Sequence, residues 1–262
     1  MNSPPISVVM PVYKKDEPAH FAESIKSITK DQTYSPSEVV VVADGPLTPR
    51  LNKFLAECNE VTVVKLEQNR GAGAARAAGV NNATHDLVAF QDSDDLSVPK
   101  RFEWQVQYFN NNPRTDALGG YIAEFDKHPN NPHAVREVPT QSSKIARWGK
   151  TRSPLNQTTV MAKRESVLAA GNYRPDDRME DYSLWARMLA NGMKLANLPS
   201  VLAKVRAGES EMSARRGGLN YAREEIRLQR EFYQIGFVNA PIAILNIMLR
   251  VPVRLMPANI RS

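Results

Sequence analysis

Three carboxylates stand in four consecutive positions at Asp92-Ser93-Asp94-Asp95, directly after the apolar run Asp86-Leu87-Val88-Ala89-Phe90. Like charges this close are costly unless a cation or a donor network occupies them. Hard oxygen ligands at that density suit Mg²⁺ or Mn²⁺, ions that usually arrive with a diphosphate. The other reading is an acidic loop whose aspartates cap the next helix, which Pro99 helps to start. A second acidic site follows in Arg178-Met179-Glu180-Asp181-Tyr182-Ser183-Leu184-Trp185. Carboxylates in the first turn of a helix are stabilised by its macrodipole. The sharper role is a general base that deprotonates a hydroxyl from across a cleft.

Three further polar groups follow apolar runs: Pro11-Val12-Tyr13, Asp44-Gly45 and Asn69-Arg70-Gly71. Asp44 is either a turn residue before Gly45 or an acceptor for a nucleobase N–H. Gly71-Ala72-Gly73-Ala74-Ala75-Arg76 lacks the third glycine of a dinucleotide fingerprint and follows the third strand rather than the first. A glycine-rich helix opening still suits phosphate or sugar, with Arg76 as added charge or as a solvated helix residue. Asp126, His128 and His133 sit among Pro129, Asn130, Asn131 and Pro132, which reads as an exposed loop rather than a metal cluster. No Gly-x-Ser-x-Gly or HExxH run occurs.

The elements that must position these residues alternate in type. Ile6–Pro11, Glu38–Ala43, Val61–Leu66 and Asp86–Phe90 read as strands, separated by helical spacing at His20–Lys30, Leu51–Cys58 and Ala72–Asn82. That order predicts an α/β fold, a Rossmann-like, mostly parallel sheet with flanking helices. Ligands then gather at the carboxyl ends of the strands, where all four polar groups fall. Later segments predict helices at Lys100–Asn112, Ser142–Lys150, Arg164–Ala170, Met179–Asn191 and Leu219–Tyr233, and strands at Ala117–Phe125, Thr158–Ala162 and Ser200–Val205. The divisions expected are 1–97, which carries the four strand tips, 98–218, which carries the second acidic site, and 219–262 as a C-terminal helical extension.

The 262 residues, 42% hydrophobic and 24% charged, can bury a sizeable core. The lone Cys58 excludes an internal disulfide, and the start lacks the n- and h-regions of a signal peptide, so a cytoplasmic protein is expected. From Val201 to Ser262 ten Lys/Arg face five Glu, which carries +5 of the net +6. Without aromatic-plus-basic modules, nucleic acid is excluded in favour of anionic lipid or a diphosphate. The apolar run Pro241–Leu255 with Arg250 and Arg254 is short for a span. It is either an amphipathic segment in peripheral contact with the inner face of the cell membrane or a helix packed on the domain.

Together, Ser7-Val8-Val9-Met10-Pro11-Val12-Tyr13, Val41-Val42-Ala43-Asp44-Gly45, Asn69-Arg70-Gly71 and Gln91-Asp92-Ser93-Asp94-Asp95 resemble the nucleotide-sugar half of family 2 glycosyltransferases. Glu180-Asp181-Tyr182-Ser183-Leu184-Trp185 is similar to that family's acidic acceptor-side motif, and the resemblance runs from about Ile6 to Gly218. It implies a GT-A fold, Mn²⁺ or Mg²⁺, a nucleoside-diphosphate sugar donor (a UDP-sugar favoured) and inversion at the anomeric carbon. Pro11, Val12 and Tyr13 would line the nucleoside pocket and Asp44 would bind the base. Asp92 and Ser93 would meet the donor, with Arg76 and Arg206 supplying charge. Asp94, with Asp92, would hold the metal, and Asp95 would support either. Asp181 would be the base, with Glu180 beside it. Ala77 stands where relatives carry an asparagine, and Asn156-Gln157-Thr158 matches a short polar acceptor motif less closely. Arg206, Arg215 and Arg216, set among glycines, either close over the diphosphate or form a plain basic loop. A saccharide on a lipid carrier is the expected acceptor. The rival expectations are a nucleotidyltransferase and a non-catalytic nucleotide-sugar-binding protein.

Overall fold

The computed structural model describes residues 4–175, 179–207 and 217–256. Its first half is built as the alternation predicts: β1 (Ile6–Val12), α1 (Pro18–Ile28), β2 (Glu38–Ala43), α2 (Pro49–Glu57), β3 (Thr62–Lys65), α3 (Ala72–Asn82) and β4 (Leu87–Phe90). These four strands are mutually parallel in the order β3-β2-β1-β4, so their carboxyl ends share one edge. β2 shows why an unbroken Val run suits this place. Val39 and Val41 enter a core with Phe21 and Leu51, while Val40 and Val42 enter a second core with Ala75 and Trp185. Period-two alternation buries both faces when helices cover both. On the second face α3 packs close, because a Cβ at Gly79 would collide with Val9 Cγ1.

The second half extends the same sheet rather than starting another. After β5 (Leu96–Ser97), α4 (Arg101–Asn111), β6 (Ala117–Phe125), β7 (Ala134–Arg136), α5 (Ser142–Gly149), β8 (Met161–Lys163), α6 (Arg164–Ala169), α7 (Glu180–Ala190) and β9 (Leu195–Arg206), the strand order is β3-β2-β1-β4-β8-β6-β9-β5, with β7 beside β6. β8 is antiparallel to both β4 and β6, and joins the two halves.

Three expected boundaries move, each for a local reason. The strand expected at Thr158–Ala162 opens as a 3-10 turn at Gln157–Thr159. Thr159 Oγ1 donates to the Asn156 carbonyl at 2.7 Å and Asn156 Nδ2 donates to the Gly120 carbonyl at 2.8 Å, so side chains compete with the ladder. β9 begins at Leu195 rather than Ser200, running through an irregular register opposite Gly120 and Tyr121 at Pro199-Ser200. Proline cannot donate to a ladder, so a bulge absorbs it. The loop expected over Asp126–Pro139 holds the short exposed strand β7, and Asp126, His128 and His133 are exposed.

The chain closes with α8 (Leu219–Gln234) and α9 (Ala240–Leu255), capped by Asn239, whose Oδ1 accepts from Ile242 N at 3.1 Å. Tyr182 of α7 meets Phe232 edge-on at 4.9 Å, and Phe232 meets Phe237 at 5.3 Å. The two alternatives for Pro241–Leu255 divide between its faces. Ala243 and Asn246 are buried, whereas Ile244, Leu245, Met248 and Leu249 are exposed. Among the described residues no helix is long and apolar enough to cross a membrane.

Candidate functional site

The four strand tips meet and are wired together. Asp44, after β2, is buried, and its carboxylate accepts from Arg70 N at 2.7 Å, Gly71 N at 2.9 Å and Asn69 Nδ2 at 3.0 Å. Two sequence motifs thus form one turn, which holds the start of α3. Gly45 allows it, with φ +81° and a position where a Cβ would lie 2.5 Å from Asn69 N. Pro11 is half-buried, Val12 is buried and Tyr13 is exposed, so the tip of β1 offers one ring to solvent. Tyr13 N donates to Asp16 Oδ2 at 2.9 Å. Burial pushes the Asp16 carboxyl up to about 6, Asp94 and Asp92 adding to the rise while Tyr13 N and Ser93 hold it down.

Arg76 joins the two acidic sites. It is buried, so the solvated-helix reading does not hold. Its Nη2 donates to Asp92 Oδ1 at 2.7 Å and its Nη1 to Glu180 Oε1 at 2.5 Å, across 104 residues of sequence. Burial opposes its charge, but Asp92 and Glu180 outweigh that and hold the guanidinium protonated. Glu180, in the first turn of α7, is raised by burial against the pull of Arg76, with Asp181 adding to the rise. Glu180 is therefore a partner of Arg76, while Asp181, one residue on, lines the open cleft. Gly73 lets α3 and α7 approach, since a Cβ there would lie 2.5 Å from the Arg174 carbonyl and 3.2 Å from Glu180 Cβ.

Beneath the acidic loop lies a buried frame that the sequence did not signal. Arg101, fully buried at the start of α4, donates from Nη1 to Gln91 Oε1 at 2.8 Å and from Nη2 to the Phe90 carbonyl at 2.7 Å. Gln91 Nε2 in turn donates to the Asp95 carbonyl at 2.6 Å. Burial lowers Arg101 to about 9, while Asp92 and Asp95 pull it back up. Asp95 is not the cap of α4, whose N-cap is Lys100. Its side chain is buried and Oδ1 accepts from Arg206 N at 3.2 Å. Burial drives Asp95 well above the usual carboxylate range, with Asp92 and Asp94 adding repulsion. Arg206 also stacks its guanidinium over Phe125 at 4.9 Å and reaches Glu23 at 3.2 Å. Arg178, Arg215 and Arg216 lie outside the described residues.

Asp92, Asp94, Asp95, Asp181 and Arg206 line one cleft of about 880 Å³. Asn156, Gln157 and Thr158 line it too, and Thr158 Oγ1 accepts from Asp92 N at 3.4 Å. Among the described residues no group of three or more His, Cys, Asp or Glu is arranged to hold a metal ion alone. The donor set fits a different mode. Mg²⁺ and Mn²⁺ are commonly held by one or two carboxylates while substrate phosphates complete the shell. Asp94 beside Asp92, with Asp95 and Asp16 raised by burial and further by the charges of Asp92 and Asp94, suits this arrangement.

The comparisons agree with the fold. Residues 7–169 match the family model described as Glycosyl transferase family 2. An Escherichia coli relative, UDP-Gal:alpha-D-GlcNAc-diphosphoundecaprenol beta-1,3-galactosyltransferase, is 36% identical over 100% of this chain and 95% of its own. The Erwinia amylovora amylovoran biosynthesis glycosyltransferase AmsE is 35% identical over 97% of this chain and 95% of its own. Among solved structures, Staphylococcus aureus TarS 1-349 in complex with UDP-GlcNAc has a TM-score of 0.68 at 20% identity, covering 95% of this chain and 72% of that one. The Pyrobaculum calidifontis mannosyltransferase PcManGT in complex with GDP-Man and Mn²⁺ has a TM-score of 0.69 at 19% identity, covering 99% and 74%. The architecture is the GT-A fold of these glycosyltransferases.

Proposed function

The chain is a glycosyltransferase that belongs to glycosyl transferase family 2, and we propose that it moves one sugar from a nucleoside diphosphate, a UDP-sugar favoured, to a saccharide acceptor with inversion. The observation that carries this reading is the single cleft in which Asp181 faces the acidic loop, with Arg76 tying Asp92 to Glu180 beneath it. Family membership as a glycosyltransferase removes both the nucleotidyltransferase and the non-catalytic rival.

Asp181 accepts the proton of the acceptor hydroxyl as its oxygen bonds to the anomeric carbon. The bond from that carbon to the diphosphate oxygen breaks with its electron pair leaving on the diphosphate, so a single displacement inverts the centre. Asp94, with Asp92, would hold Mn²⁺ or Mg²⁺, which when bound neutralises charge on the leaving diphosphate. Arg76 keeps Asp92 and Glu180 in place, and Ser93 and Arg206 face the donor. Pro11, Val12 and Tyr13 receive the nucleoside. Asp44 shapes the adjoining turn, and its one remaining acceptor position would take a base N–H.

Two observations support a lipid-linked saccharide as acceptor. The Escherichia coli relative is named for a diphosphoundecaprenol substrate. The outward face of α9 is apolar, which suits a peripheral seat on the inner face of the cell membrane. The test is a screen of nucleotide sugars with Mn²⁺ or Mg²⁺, reading nucleoside-diphosphate release and sugar transfer. Release that depends on the metal and on Asp94 is expected; undiminished turnover in excess chelator would sink the metal role.

A further inference from the structure

We propose that the end of the cleft formed by the C-terminal helices is a subsite for the diphosphate of a lipid-linked acceptor. It is lined by Arg152, Arg250 and Arg254 with the rings of Trp148 and Tyr221. The inference rests on the transfer reading above and names the acceptor group that the same cleft would recognise.

Glu225 is fully buried in α8, and two arginines of α9 reach it. Arg250 Nη1 lies 2.9 Å from Oε1 and Arg254 Nη2 lies 3.4 Å from Oε2. One guanidinium would suffice to neutralise a buried carboxylate. Two share this one, and both arginine side chains remain about a quarter exposed, at 23% and 24%. A guanidinium has five N–H donors, so Arg250, bonded to Glu225 through Nη1, can also meet an anion. Arg152 adds a third positive charge and stacks over Trp148 at 5.2 Å. Arg254 stacks over Tyr221 at 5.7 Å. Among the other charged groups lining the cleft away from the acidic loop, Glu124 is paired with Arg136 at 3.6 Å and Glu137 follows β7.

The arginines are held rather than loose. Asn246 Nδ2 donates to Gln229 Oε1 at 2.9 Å and to the Lys150 carbonyl at 2.8 Å, and Gln229 Nε2 donates to Glu225 Oε1 at 3.4 Å. This buried ladder locks α8 and α9 to the segment after α5, next to Arg152. A planar, bidentate donor set of this kind matches phosphate oxygens, and aromatic faces beside it suit a sugar ring. A diphosphate diester carries two negative charges, which the guanidinium groups of Arg152 and Arg250 would meet. On α9 the exposed face of Leu245, Met248 and Leu249 offers an apolar exit for the lipid chain.

The probe is decyl diphosphate below its micelle concentration, titrated into the full chain with UDP and Mn²⁺ present, beside decyl monophosphate and phosphatidylglycerol vesicles. Arg152→Gln is one variant. The second pairs Arg254→Gln with Glu225→Gln, so that no buried carboxylate loses its partner. Decyl diphosphate should bind roughly tenfold tighter than the monophosphate, and both variants should erase that preference. Equal binding of the two probes, or a preference that survives in both variants, would overturn the subsite. Displacement of decyl diphosphate by rising UDP would also overturn it, by locating the probe in the donor site. Vesicle binding lost in the variants while decyl diphosphate binding persists would assign the arginines to headgroups instead. Binding as expected, with no sugar transfer from any donor, would support the diphosphate site and contradict the transfer reading.

Discussion

The two ends of the cleft are built in opposite ways. The acidic end grows from parallel strand tips, and its carboxylates are wired to Arg76 and backbone donors within hydrogen-bond distance, while Arg101 braces the loop through Gln91. The basic end is assembled from residues on α5, α8, α9 and the turn after α5, and it keeps part of its guanidinium surface open. In the first, charge is buried and the protein supplies counter-charges; in the second, guanidinium surface is left facing the cleft. The difference teaches where tolerance lies. A site that leaving-group chemistry passes through must be rigid, whereas one that recognises an anchor of variable tail can be shallow.

That contrast can be broken by mutation, starting where the effect should be greatest. Asp94→Ala should lower metal-dependent turnover on the order of 10³-fold, because charge on the departing diphosphate loses several kcal/mol of neutralisation. Steady-state turnover across a Mn²⁺ titration checks this, and a curve superimposable on wild type would contradict it. Arg76→Met should come next, since it leaves Asp92 and Glu180 without their shared cation at a cost of about 3–5 kcal/mol. Arg76→Lys should rescue folding more than activity, because an ammonium cannot reproduce the fork held between two carboxylates. Thermal unfolding and turnover, measured together on both variants, separate those contributions.

Arg101→Met probes the frame below the loop. It should lower stability by about 2–3 kcal/mol by leaving Gln91 and two carbonyls without their donor. A fall in Tm of roughly 5–10 °C is expected for a chain of this size. An unchanged Tm would show that the frame relaxes around the loss. The smallest effect belongs to the basic end. Arg152→Gln should raise the acceptor KM by about tenfold and leave Tm within error, as expected of a half-open anion contact. A Tm loss matching that of Arg101→Met would erase the proposed contrast between the ends.

Much of the acidic end was legible because strand tips announce themselves. An unbroken Val run followed by Asp44-Gly45, and Leu87–Phe90 followed by three aspartates, mark both the element and its carboxyl end. The pairing of Arg76 with Glu180 was not legible. Nothing in an alanine-rich helix says which of its faces meets α7, and the contact spans 104 positions. Arg101 was hidden for a related reason, as a basic residue in a helical first turn looks solvated until tertiary packing buries it. The Thr158–Ala162 segment carried strand-like residues, but Asn156 and Thr159 satisfied its backbone locally and delayed the strand to Met161. The tail kept two readings because both faces of α9 are real: one locks onto Glu225 and the other stays apolar and exposed.

The central claim is that Asp181 removes the acceptor proton while Glu180 serves Arg76. The most direct measurement compares wild type, Asp181→Asn and Glu180→Gln for donor binding by calorimetry and for sugar transfer at saturating donor. For Asp181→Asn the account predicts donor affinity within a few-fold of wild type and transfer lowered by roughly 10²–10⁴-fold, the usual worth of a positioned base. For Glu180→Gln it predicts a smaller loss of transfer together with a lowered Tm. Wild-type transfer by Asp181→Asn, with the full loss in Glu180→Gln instead, would contradict the assignment.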